Sequence, residues 1–114
     1  MRSKKFGAVD TLLISDQIRV DRKSLVKLLD QHHVKKLSLF GSAARGDISE
    51  GSDIDLLIEF RSGKAPSLGG LVEISDRLSD LMGGRSIDLA TRSILNNPFR
   101  RRTITRDLKI LHET

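Results

Sequence analysis

Two short apolar runs, Lys36–Phe40 and Asp53–Phe60, stand only a dozen residues apart in this chain. In the first, Leu37 and Leu39 alternate with Ser38 and Phe40, and Gly41 stops the run. The second is rich in Ile and Leu. Both read as β-strands. The gap between them is too short for an ordinary crossover helix but long enough for a working loop. That spacing points to an α/β (α+β) domain with a small mixed β-sheet flanked by helices.

The rest of the pattern fits that frame. Asp21 is placed to cap a helix over 22–33, with Leu25, Val26, Leu28, Leu29 and His32 recurring at helical spacing. Residues 42–52 read as a short helical turn and then a loop. Lys64–Gly70, with Pro66 and a Gly pair, reads as loop. Leu71, Ile74, Ser75, Leu78, Leu81 and Met82 line one face of a second helix that Gly83-Gly84 ends. Ser86–Ala90 is a third strand, and Phe99–Thr114 adds a short helix and a final strand or tail. In residues 1–20, Leu12-Leu13-Ile14 reads as a short strand or a helical turn without clear caps, and the segment is taken as an N-terminal extension of uncertain order. Residues 21–114 are read as a single domain, as 114 residues lead one to expect.

Composition removes several classes of function. There is no Cys, so disulfides, thiolate zinc sites and cysteine nucleophiles are out. No apolar run approaches the roughly 20 residues of a membrane span. The basic start Met1–Lys5 lacks the apolar stretch of a secretory signal, so a cytoplasmic protein is expected. There is no Trp or Tyr, and Phe6, Phe40, Phe60 and Phe99 are scattered. A base-stacking nucleic-acid module is disfavoured on that ground.

The chemistry concentrates in Gly41-Ser42-Ala43-Ala44-Arg45-Gly46-Asp47 and Ser52-Asp53-Ile54-Asp55. On a strand, Asp53 and Asp55 share a face, their backbones about 6.5–7 Å apart. Two carboxylates at the start of an apolar strand repel each other unless a cation lies between them. An all-oxygen set of this kind suits a hard ion such as Mg2+. Asp88, in the middle of the third strand, supplies a third carboxylate if that strand pairs beside 53–60. Three carboxylates are enough for the metal chemistry of phosphoryl or nucleotidyl transfer. Gly41 at a strand end lets a phosphate approach the backbone, and Ser42 can donate to the same oxygen. Arg45 is placed either to pair with phosphate or to anchor the loop on Asp47 or Glu50.

Gly41-Ser42, ten residues, then Asp53-x-Asp55 resembles the signature of the nucleotidyltransferase superfamily with the DNA polymerase β-like fold. The fuller string GSAARGD, SDIDLLIEF and GGRSIDLAT is similar to its minimal members, the MNT domains, over roughly residues 18–110. Those are encoded beside HEPN-domain proteins and act as antitoxins. The resemblance implies transfer of AMP from ATP onto a tyrosine of a HEPN toxin. It implies Mg2+ on Asp53, Asp55 and Asp88, nucleotide phosphates on Gly41 and Ser42, and Asp88 activating the acceptor hydroxyl. The extension at 1–20 and an unusually Arg-dense tail depart from the common pattern.

Other features carry blander readings. His32 and His33 point to different sides of a helix end, where a favourable dipole interaction accounts for them. Arg92, Arg100, Arg101, Arg102, Arg106 and Lys109 face only Asp107 and Glu113. They form a solvated basic face, attract ATP phosphates or an acidic partner, or bind a nucleic-acid backbone; the absence of a base-reading motif favours the nucleotide or partner role. Two alternatives to adenylyl transfer onto a protein remain open at this point. One is an antitoxin that neutralises its partner by binding alone; the other is a nucleotidyltransferase acting on RNA or a small molecule. With no Tyr in the chain, any AMP-tyrosine it makes lies on another protein.

Overall fold

The structure, a computed structural model, describes residues 10–15 and 17–114. A hairpin comes first: β1 (Thr11–Leu13) pairs antiparallel with β2 (Arg19–Asp21). Helix α1 (Arg22–Gln31) follows at once because Asp21 caps it, its carboxylate accepting from the Ser24 amide at 3.2 Å and hydroxyl at 2.6 Å. Then come β3 (Val34–Phe40), the single turn α2 (Gly41–Arg45) and β4 (Ile54–Phe60). Helix α3 (Leu68–Leu81) leads to β5 (Ile87–Thr91). A 3-10 turn (Arg92–Asn96), helix α4 (Pro98–Asp107) and β6 (Lys109–Glu113) complete the chain.

The main sheet runs β5-β4-β3-β6. Strand β4 pairs antiparallel with β3 and parallel with β5, so the sheet is mixed as expected. The parallel pair is joined by α3, the one connection long enough to cross over.

Alternation along β4 divides the core. Ile54, Leu56 and Ile58, all fully buried, join the larger apolar cluster with Leu25, Leu29, Ile74 and Leu78 from α1 and α3. Leu57, of the other parity, joins a smaller cluster with Phe40, Ala90 and Ile104. Asp55 shares Leu57's parity and therefore opens towards the smaller cluster and α4.

Three details differ from the sequence reading. Of the segment read as an N-terminal extension, residues 1–9 and Asp16 lie outside the described residues. The remainder holds the hairpin, and Ile14, Ile18 and Val20 are buried in the larger cluster. Helix α3 begins at Leu68, inside the stretch read as loop. Ser67 caps it by accepting from the Gly70 amide at 3.2 Å. A Cβ on Gly70 would press on the Pro66 ring at 2.8 Å, so close approach, not a turn, requires glycine there. Strand β4 starts at Ile54, which leaves Asp53 on the irregular segment just before it.

Candidate active site

Register builds the site. Phe40 lies opposite Asp55 in the β3–β4 pair, so the chain leaves β3 as Gly41-Ser42 directly beside the Asp55 carboxylate. Gly41 has φ +67°, and any Cβ there would collide with the Asp55 carboxylate oxygen. Glycine is thus required twice over, by backbone conformation and by space. On the other side, Asp55 lies level with Asp88 in the parallel β4–β5 pair.

The electrostatics follow from that placement. Partial burial, the hydrogen bond to Asp88 and the charges of Asp88 and Asp53 raise the Asp55 carboxyl from its ordinary 3.8 to about 6. The charge of Arg100 opposes the shift. Asp55 is half-buried, whereas Asp53 and Asp88 are exposed.

The expected convergence of three carboxylates is met in part. Asp55 and Asp88 are brought into contact, and Asp53 acts on Asp55 through its charge. Yet among the described residues no group of three or more His, Asp or Glu side chains gathers as a ligand cluster. Asp53 precedes the strand, so the pleat does not hold it beside Asp55, and like charges favour separation. The donor set still suits a hard cation. It is all carboxylate oxygen, and a cation between Asp55 and Asp88 would relieve the repulsion that helps to raise the Asp55 carboxyl.

A cavity of about 380 Å³ opens in front of Asp55. Phe40, Gly41, Ser42 and Arg45 form one wall; Arg100, Thr103 and Ile104 of α4 form another. Among the described residues the Ser42 hydroxyl has no hydrogen-bond partner. Arg45 donates to Asp107 at 3.1 Å and to Asp47 at 3.4 Å. Its guanidinium is thereby held in place, the anchoring alternative of the two read from sequence, while it also lines the cavity. The two carboxylates raise the Arg45 pKa, and Arg106 and Arg45 together lower that of Asp107.

Two contributors were not singled out from sequence. Arg85 donates to the Ser49 carbonyl at 2.6 Å and the Ser52 carbonyl at 3.1 Å, fixing the loop that delivers Asp53. Asp107 holds Arg45 across 62 positions of sequence. The Arg density around 100–106 was visible, but nothing in the spacing marked Arg100 as facing the site. His32 lies 3.9 Å from Glu73, away from the cavity.

A mixed four-stranded sheet sets a Gly-Ser turn against level strand aspartates, an arrangement compatible with a nucleotidyl-transfer class of site. Comparison with known proteins agrees. The nucleotidyltransferase domain model matches residues 21–111, and the chain belongs to that family, among its minimal members. A Methanocaldococcus jannaschii relative assigned as a protein adenylyltransferase (MJ1379) is 36% identical over 95 residues, 83% of this chain and 94% of that one. The protein adenylyltransferase MntA of Thermococcus cleftensis is 35% identical over 71 residues, 62% of this chain and 69% of that one. In fold, the chain resembles a toxin–antitoxin crystal structure with AMP-PNP, with a TM-score of 0.62 at 21% identity over 81% of this chain and 73% of that one. No helix among the described residues is long and apolar enough to cross a membrane.

Proposed function

We propose that this chain is a Mg2+-dependent protein adenylyltransferase that moves AMP from ATP onto a hydroxyl, a tyrosine, of a partner HEPN-domain toxin and so acts as its antitoxin. The observation that carries this reading is the Gly41 backbone lying against Asp55, with Asp88 level with it on the next strand. Membership of the nucleotidyltransferase family supports the reaction class, and the names of the relatives support a protein acceptor.

In this mechanism Gly41 and Ser42 receive the triphosphate, the glycine by leaving space and the serine by donating from its hydroxyl. Arg45, clasped by Asp107, keeps that turn in place. Asp53, Asp55 and Asp88 would hold Mg2+, whose chemistry there is to neutralise the triphosphate and the departing pyrophosphate. The acceptor oxygen forms its bond to the α-phosphorus as the bond to the β-phosphate bridging oxygen breaks. Asp88 takes the hydroxyl proton, and pyrophosphate leaves with the electron pair. The open, exposed setting of Asp88 suits an acceptor brought in by another macromolecule.

The test uses ATP labelled at the α-phosphate, Mg2+ and the partner. Label is expected on the partner with the wild type and none with Asp53→Asn/Asp55→Asn. Protection that survives the double substitution would instead establish neutralisation by binding alone. Label transferred without any protein acceptor would point to RNA or a small molecule.

A further inference from the structure

Three charged side chains line the cavity in front of Asp55: Arg45, Asp55 itself and Arg100. Arg45 is committed to Asp107 and Asp47. Arg100 has no carboxylate within ion-pair distance among the described residues. The sequence of α4 explains why it faces the cavity. Arg100, Thr103, Ile104 and Asp107 fall on one stripe of the helix, at i, i+3, i+4 and i+7. Ile104 is 1% exposed and Asp107 bonds Arg45, so the stripe is pinned to the domain at two points. The helix start is fixed as well, because the Arg100 amide donates to Asn97 Oδ1 at 3.2 Å. Arg100, Arg101 and Arg102 are all exposed, but Arg101 and Arg102 lie off this stripe and do not line the cavity.

We propose that Arg100 is a nucleoside-triphosphate-binding residue of this site, its guanidinium pairing with the polyphosphate chain that Gly41 and Ser42 receive from the β3–α2 wall. The inference rests on the adenylyl-transfer reading and adds to it the residue that distinguishes a triphosphate from a monophosphate. A guanidinium is suited to this because its fork of donors matches phosphate oxygens and stays charged at every physiological pH. Its influence on Asp55 is consistent with such closeness.

Calorimetric titration of ATP and of AMP, each with Mg2+, into wild type, Arg100→Ala, Arg100→Gln and Arg101→Ala tests the proposal without any partner protein. Thermal unfolding of each variant verifies its fold, and Arg100→Gln serves if the alanine variant does not fold. Both Arg100 variants are expected to weaken ATP about tenfold or more, the loss of a charge-assisted contact, and to leave AMP binding unchanged. Arg101→Ala should match the wild type. Inorganic tripolyphosphate should displace ATP from the wild type at concentrations that no longer suffice in Arg100→Gln. A folded Arg100 variant that binds ATP like the wild type overturns the proposal and leaves adenylyl transfer standing. Equal weakening of ATP and AMP, or the same loss in Arg101→Ala, overturns it too. A wild type that binds no ATP removes both readings together.

Discussion

Asp55 is where the physics of the site is most concentrated, because its carboxyl is partly buried against Asp88 and feels the charge of Asp53. Its folded pKa, about 6, lies above the ordinary 3.8, so the folded state holds this proton more tightly than the unfolded chain does. Stability from this group is therefore fully present below about pH 4 and is lost as pH rises through 6. Asp88→Asn is expected to raise the melting temperature at pH 8 and to leave it almost unchanged at pH 4, as measured by thermal unfolding at the two pH values. Gly41 makes the complementary case. Gly41→Ala places a non-glycine residue at φ +67°, costing about 1–2 kcal/mol from backbone conformation alone, before the collision with Asp55 is counted. Denaturant unfolding should register that loss, and ATP binding should fall with it. Both residues were legible in sequence because a strand's two-residue period and a glycine at a strand end are local signals. Arg100 was not, since a run of arginines does not say which one the helix turns towards the cavity.

At the scale of elements, α4 is the weakly founded member of the fold. Ile104 is its one buried residue, so its placement depends on its start: Asn97 Oδ1 accepts from the Phe99 amide at 3.0 Å and the Arg100 amide at 3.2 Å, and Pro98 occupies the first turn. Asn97→Ala should cost about 1 kcal/mol in chemical denaturation and weaken ATP binding, although Asn97 lies outside the cavity lining. The stronger elements were readable. Helices α1 and α3 bury their apolar stripes as the periodicity predicts, with Leu25, Leu28, Leu29, Ile74, Leu78 and Met82 all buried. Of the hairpin, Leu12-Leu13-Ile14 hinted at β1 as strand or helical turn, but β2 and the pairing escaped because strands of three residues are too short to display a period. The start of α3 escaped because Gly69 and Gly70 have poor helix propensity. The Ser67 cap starts the helix there nonetheless, and Gly70 leaves the room that Pro66 needs.

Across the whole molecule, the clasp between Arg45 and Asp107 ties the glycine-serine turn to the end of α4. No spacing rule predicts a partner 62 positions away, so the anchoring role of Arg45 became definite only in three dimensions. Arg45→Ala and Asp107→Ala should lower the melting temperature in the same direction and weaken ATP binding similarly. The double substitution should lose no more than the worse single one, because either change breaks the same link. Full additivity in that cycle would show that the two side chains act separately. The order of synthesis gives this clasp a consequence. Gly41, Ser42, Asp53 and Asp55 are synthesised before residue 107, so the tie between their turn and α4 forms only after that residue has emerged. Until then the turn has the Asp47 contact of Arg45 but not the one that joins it to α4, and the clasp couples two segments made 62 residues apart.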